Sequence, residues 1–134
     1  MIARTWHGVV PRDKGDAYFE YLKETGLRDS RATFGNNGIQ ILRREIGDKV
    51  HFIFITFWDS YESIRKFAGD IPERARYYPQ DKDYLLELEP LVDHYEVLTN
   101  MDQRSIFRRF LNLGKTFVQG MGTLGVSVGL VSIK

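Results

Sequence analysis

The sequence predicts an α+β domain of ferredoxin-like βαββαβ order, an antiparallel sheet carrying both helices on one face. Three features predict it. An alternating aromatic run, Phe52-Ile53-Phe54-Ile55-Thr56-Phe57-Trp58, leads straight into Asp59-Ser60-Tyr61-Glu62, which reads as a helix start. The turn residues Gly47-Asp48 join that run to the strand-like stretch before it, as in a tight hairpin. Two more alternating stretches stand at either end of the first hundred residues.

Taken in order, residues 2–10 form the first strand, with Ile2, Arg4 and Trp6 on one face and Ala3, Thr5, His7 and Val9 on the other. Pro11 ends it. A helix over 13–25 follows from the spacing of Tyr18, Tyr21, Leu22 and Thr25, with Gly26 placed to stop it as a left-handed cap. Gly35-Asn36-Asn37-Gly38 reads as a loop, and Ile39 to Ile46 as the strand that pairs with 50–58. Asp59 and Glu62 have capping-box spacing, which predicts a second helix over 60–68 burying Tyr61, Ile64 and Phe67 before Gly69.

Residues 72–90 are irregular, with a loop at Tyr77-Tyr78-Pro79 and a helical turn at Tyr84-Leu85-Leu86. Leu91 to Thr99 is the last strand, with Val92, His94, Glu96 and Leu98 on one face and Asp93, Tyr95 and Val97 on the other. Strand 50–58 is apolar on both faces, so the sheet face away from the helices needs a cover, most simply a second copy of the same sheet. A homodimer is expected.

The chain of 134 residues suffices for one core, so the expected organisation is a domain over 1–100 and an appendage over 101–134. No cysteine is present, which excludes disulfides, thiolate nucleophiles and Cys-based zinc sites. The amino terminus lacks the apolar stretch of a secretory signal, so a cytoplasmic location is expected. Residues 1–100 hold 14 Lys and Arg against 17 Asp and Glu, and 101–134 hold 5 against 1, an acidic body with a basic tail. The body has no basic, aromatic-interleaved face, so no nucleic-acid partner is expected. No phosphate-loop spacing follows Gly38, and no HxH or HxxxH spacing is present, so neither a nucleotide nor a metal is expected.

The Thr56-Phe57-Trp58-Asp59-Ser60 joint, the Phe67-Ala68-Gly69 helix end, the Tyr77-Tyr78-Pro79 segment and the closing His94-Tyr95-Glu96-Val97 strand, in this element order, resemble the antibiotic biosynthesis monooxygenase family over residues 1–100. The resemblance implies a dimeric α+β barrel built from ferredoxin-like monomers. In the family's haem-degrading branch an Asn on the first strand, a Trp on the second helix and a His after it are catalytic. Those places here hold His7, Phe67 and Tyr77. In the cofactor-free branch the substrate, an electron-rich phenol or anthrone, is deprotonated and its carbanion reacts with oxygen, so the protein supplies a base, an apolar pocket and a donor. That branch implies no cofactor.

His94 is the candidate base, since imidazole titrates near neutrality, and Glu96 on the same face is the candidate orienter. The alternative is a histidine satisfied within the sheet. Tyr78 is the candidate donor to an anion, and His7, Trp58, Phe67 and Tyr77 are candidate substrate-binding residues, the aromatics otherwise being core. A small aromatic substrate suits nine Phe, seven Tyr and two Trp.

Over 101–120, Ile106, Phe110, Leu113 and Phe117 make one helical stripe opposite Arg108, Arg109 and Lys115, a basic amphipathic helix that can pack on its own dimer or dock on a partner. A membrane surface is the lesser expectation. The Gly-broken apolar segment after Gly120 resembles the targeting peptides of encapsulin cargo proteins, which implies a protein shell as partner. Two functions are therefore expected in competition: a small cofactor-independent monooxygenase with His94 in an open cavity, or a non-catalytic dimeric module addressed by its tail, with a filled pocket.

Overall fold

A computed structural model describes residues 1–101 of the protein. Met1–Val97 form one compact unit. The helix expected over 101–120 and the apolar segment after Gly120 lie outside the described residues. Strands β1 (Ile2–Pro11), β2 (Asn36–Ile46), β3 (Lys49–Trp58) and β4 (Asp93–Glu96) form one sheet in the order β2-β3-β1-β4, with every neighbouring pair antiparallel. This is the ferredoxin-like α+β arrangement that the sequence predicts.

Alternation sorts the strands cleanly. Trp6 and Val10 of β1 and Val50, Phe52 and Phe54 of β3 are buried on one face, where Tyr18 and Leu22 of helix α1 (Gly15–Leu22) meet them. Further along that face, Trp58 packs with Ile64 and Phe67 of helix α3 (Tyr61–Ala68). Tyr18, Phe52, Trp58 and Ile64 are wholly buried, each contributing about 1.5–3 kcal/mol of transfer free energy. The other sheet face is open, and Leu42, Ile46 and Ile53 stand on it exposed. No helix among the described residues is long and apolar enough to cross a membrane.

Tyr61 is 42% exposed rather than buried, and the last strand covers only Asp93–Glu96 of the expected 91–99. Two further expectations are corrected. Gly26 does not stop the first helix: a π-turn over Lys23–Leu27 carries the chain into α2 (Arg28–Ala32), which ends at the extended Thr33. Gly26 is instead a contact residue, since a Cβ there would lie 3.0 Å from Phe54 Cε1, tighter than ordinary contact, and the ring would have to shift. The second correction is the cap of α3. Ser60 is the N-cap and its hydroxyl accepts from the Ser63 amide at 3.2 Å, while Asp59 accepts from the Ser63 hydroxyl at 2.7 Å. Ser63 takes the place that the capping-box reading gave to Glu62.

The strand after the first helix starts at Asn36, earlier than expected, through an irregularity between Asn36 and Gly38. Gly69 closes α3 with φ 99°, as the sequence predicts. Residues 72–92 are held by a bridge between Arg74 and Leu91 and by one short helix, α4 (Asp81–Tyr84).

Candidate functional site

The site is built where β1 and β4 meet α3. Arg4 of β1 and His94 of β4 are register partners, and both side chains leave the sheet on the face that α3 covers. Phe67 lies with its ring 5.6 Å from the Arg4 guanidinium, and Tyr61 stands edge-on to His94 with ring centroids 5.4 Å apart.

Arg4 is 5% exposed, and Nη2 donates to the Arg74 carbonyl at 2.8 Å. Among the described residues its Nε has no hydrogen-bond partner and no carboxylate lies within ion-pair reach. Burial lowers the guanidinium to about 10, so it stays charged at neutral pH. The His94 Nε2 is likewise buried without a partner. Burial, followed by the positive charge of Arg4, holds this imidazole below its ordinary value, against a weaker pull from Glu73 and Asp93. At pH 7 His94 is therefore a neutral ring, able to accept a proton.

Beyond Arg4 a cavity of about 30 Å³ runs between sheet and helices, walled by Trp6, Tyr18, Phe54, Phe67, Arg76, Tyr78 and Asp81 among others. It has room for one or two water-sized groups and not for an aromatic ring. Its polar rim is held by two carboxylates. Asp29 accepts from Tyr78 Oη at 2.7 Å, Arg28 at 3.0 Å and Arg76 at 3.3 Å. Burial raises the Asp29 carboxyl, but the hydrogen bonds from Arg28 and Tyr78 outweigh it and hold it below the usual range. Asp81 accepts from Tyr18 Oη at 2.9 Å and from the Tyr78 amide at 2.6 Å; burial, the dominant effect, raises it nonetheless.

The candidate residues are therefore scattered over several environments. His94 and Phe67 share the Arg4 neighbourhood. Tyr78 lines the cavity, but its hydroxyl proton is committed to Asp29, and burial and that bond raise its pKa. Trp58 is a core residue, fully buried, stacked on Phe67, with its indole N–H bound to Thr56 Oγ1 at 2.7 Å. Tyr77 braces Trp6, accepting from its indole at 3.3 Å and donating to the Glu89 carbonyl. Glu96 is exposed, and no hydrogen bond joins it to His94.

His7 projects from the opposite face of the sheet to His94, so the two do not pair. Its Nδ1 donates to the Glu89 carboxylate at 2.7 Å, and its Nε2 is hydrogen-bonded at 3.1 Å to Nδ1 of His51, whose ring stacks on it. Among the described residues no group of three metal-ligating side chains converges.

The sequence reading passed over Arg4, Arg76, Asp29 and Asp81. The signal for Arg4 was present: an arginine between Ile2 and Trp6 on the apolar face of a strand is a charge directed into the core.

No family model matches the chain, and no curated protein matches it. Solved structures do. A Bacillus cereus protein named as a candidate antibiotic biosynthesis monooxygenase matches at 15% identity and TM-score 0.50, over 75% of this chain and 96% of its own. The haem-degrader MhuD of Mycobacterium tuberculosis, solved with two haems in its active site, matches at 18% identity and TM-score 0.51, over 76% of this chain and 100% of its own. A mutant of MhuD with two manganese protoporphyrins per active site matches at TM-score 0.52 and 18% identity, over 76% and 99%. At these identities the likeness is one of fold, and the chain carries the fold of the antibiotic biosynthesis monooxygenase-type proteins.

Proposed function

We propose that the protein is a small cofactor-independent oxygenase acting on a phenol- or quinol-type aromatic molecule, and that it works as a homodimer joined through the open sheet face. The observation that carries this reading is the buried His94 Nε2, without a hydrogen-bond partner among the described residues, in register with the buried Arg4. A base next to a fixed cation is suited to drawing a proton from an acidic O–H or C–H and holding the resulting anion. For an anthrone-like substrate the ring CH₂ loses its two hydrogens and becomes a carbonyl; one atom of O₂ enters that carbonyl and the other leaves as water. The cavity admits O₂ or a single substrate oxygen as it stands, with the aromatic ring held outside it toward Arg76 and Tyr78.

Haem does not fit this site. A cavity of about 30 Å³ walled by Trp6, Tyr18, Phe54 and Phe67 leaves no slot for a macrocycle, and the places of the haem-degrading set hold His7, Phe67 and Tyr77. The same filled cavity favours a second reading, a non-catalytic dimeric module. Oxygen uptake separates the two: anthrone- and quinol-type substrates are offered to wild type and to His94→Ala. Uptake that falls at least about 100-fold in the variant supports the oxygenase. Absence of uptake across the panel by a well-folded dimer leaves the module.

A further inference from the structure

We infer that Arg4 forms the floor of a binding site for the anionic oxygen of a small monovalent organic acid, a carboxylate or an acidic phenol. This deepens the oxygenase reading by naming the charge of its ligand, and its test does not depend on turnover.

The Arg4 side chain is more than nine-tenths buried, yet among the described residues its Nε has no polar partner and its Nη2 has only a neutral carbonyl. The nearby acids are occupied elsewhere. Asp29 is shared among Arg28, Arg76 and Tyr78, and each oxygen of Asp81 already takes a donor. Glu73 and Asp93, whose fields reach His94, make no ion pair with Arg4. The Phe67 face offers only a cation–π contact at 5.6 Å.

A buried ion in this condition is among the costliest arrangements a fold can hold, unless a ligand completes it. Water would satisfy the Nε hydrogen bond and leave the charge standing. An oxyanion satisfies both. Size and charge narrow the class. The cavity takes a carboxylate group or a phenolic oxygen and excludes the ring behind it, so the apolar part of the ligand stays toward Arg76 and Tyr78. One uncompensated cation calls for a single negative charge.

Formate, benzoate, 4-nitrophenol and the uncharged benzamide are titrated into full-length protein at pH 7, read by calorimetry and thermal shift. Saturable binding of benzoate or of 4-nitrophenol as its phenolate, weakened at least about tenfold in Arg4→Met and only partly in Arg4→Lys, supports the site. Benzamide binding as tightly as benzoate overturns it, as does an undiminished response in Arg4→Met; a response to formate alone that is lost in Arg4→Met supports the site and limits it to the smallest carboxylates. Circular dichroism confirms that the variants fold, and Arg4→Lys keeps the comparison valid where Arg4→Met does not. Anion binding without oxygen uptake in wild type removes the oxygenase reading and leaves this site standing; uptake without anion binding does the reverse.

Discussion

Arg4 and His94 sit opposite one another across β1 and β4, and each holds a buried nitrogen with no hydrogen-bond partner among the described residues, Nε of the guanidinium and Nε2 of the imidazole. The pair defines the site electrostatically. A guanidinium that stays charged disfavours a second charge next to it, so the folded state holds one cation and one neutral ring.

That arrangement has a pH signature. His94 has its pKa lowered on folding, first by burial and then by Arg4. The unfolded chain therefore binds more protons than the folded one between the two pKa values, and stability rises with pH across that interval. The contribution is complete above the unfolded value of about 6.5 and is lost as pH falls through the lower folded value. Melting temperatures measured from pH 4.5 to 8 are expected to fall on the acid side in wild type and to fall less in His94→Asn. Parallel profiles would show that His94 does not titrate between the two states.

Removing the buried charge is expected to stabilise the apo protein. Arg4→Met keeps most of the side-chain volume against Phe67, loses one hydrogen bond to the Arg74 carbonyl, and relieves the desolvation of an unpaired ion. The expected gain is on the order of 1 kcal/mol in urea denaturation, a higher midpoint at unchanged slope. A lower midpoint would mean that Arg4 is compensated in solution by a group such as a tightly held ion.

Asp29 ties the rim of the cavity to α2 through Tyr78 and Arg76. Asp29→Ala leaves the Tyr78 hydroxyl and one end of Arg76 without their acceptor, at an expected cost of about 1–3 kcal/mol. The segment from Arg74 to Tyr78 then loosens, and limited trypsin digestion at Arg74 and Arg76 is expected to accelerate at temperatures well below melting. Unchanged cleavage would show that the rim is held by backbone contacts alone.

The sheet was legible because its signal is local. A Phe-rich run in 50–58, a two-residue Gly47-Asp48 turn and a second strand-like run before it fix the pairing, and the register Ile46 with Lys49 follows. The first helix was misjudged at Gly26 because glycine ends a helix only where the chain must turn left-handed. Here it remains helical and yields its missing side chain to Phe54, a reason that only the packing supplies. The site was half legible. Alternation placed Arg4 and Trp6 on one face of the first strand and His94 with Val92 and Glu96 on one face of the last, but the polar rim depends on Asp29, Arg76 and Asp81, whose contacts join residues 47 and 63 apart in sequence. Conversely, His7 and His94 lie on adjacent strands yet on opposite faces, so adjacency alone misleads.

Gly35 links the two halves of the fold by close approach. Its φ is 98°, and a Cβ there would overlap the Ser63 hydroxyl in the cap of α3. Gly35→Ala therefore meets backbone strain and a steric clash at once, with an expected loss of about 2–4 kcal/mol. Chemical denaturation measures it. A loss no larger than that of Gly47→Ala, where nothing lies within 4 Å and only the positive φ is strained, would show that the cap yields without cost.

The open sheet face is the surface through which two copies are proposed to pair. Leu42, Ile46 and Ile53 are 47%, 45% and 39% exposed there, a row of aliphatic side chains that a lone monomer would leave in water. Ile53 pairs with His7 and with Leu42, which places it between the aliphatic row and the imidazoles. Ile53→Lys puts a charge at that point and does not touch the helix-covered core, so each monomer is expected to keep its fold. In wild type the melting temperature should rise with protein concentration, because association favours the native state by mass action, and the gel-filtration mass should be twice that of the chain. The variant should elute at half that mass, with a melting temperature independent of concentration. A wild-type protein that elutes as a monomer and melts at one temperature throughout would refute pairing through this face, and Leu42, Ile46 and Ile53 would then have to be covered by something other than a second copy.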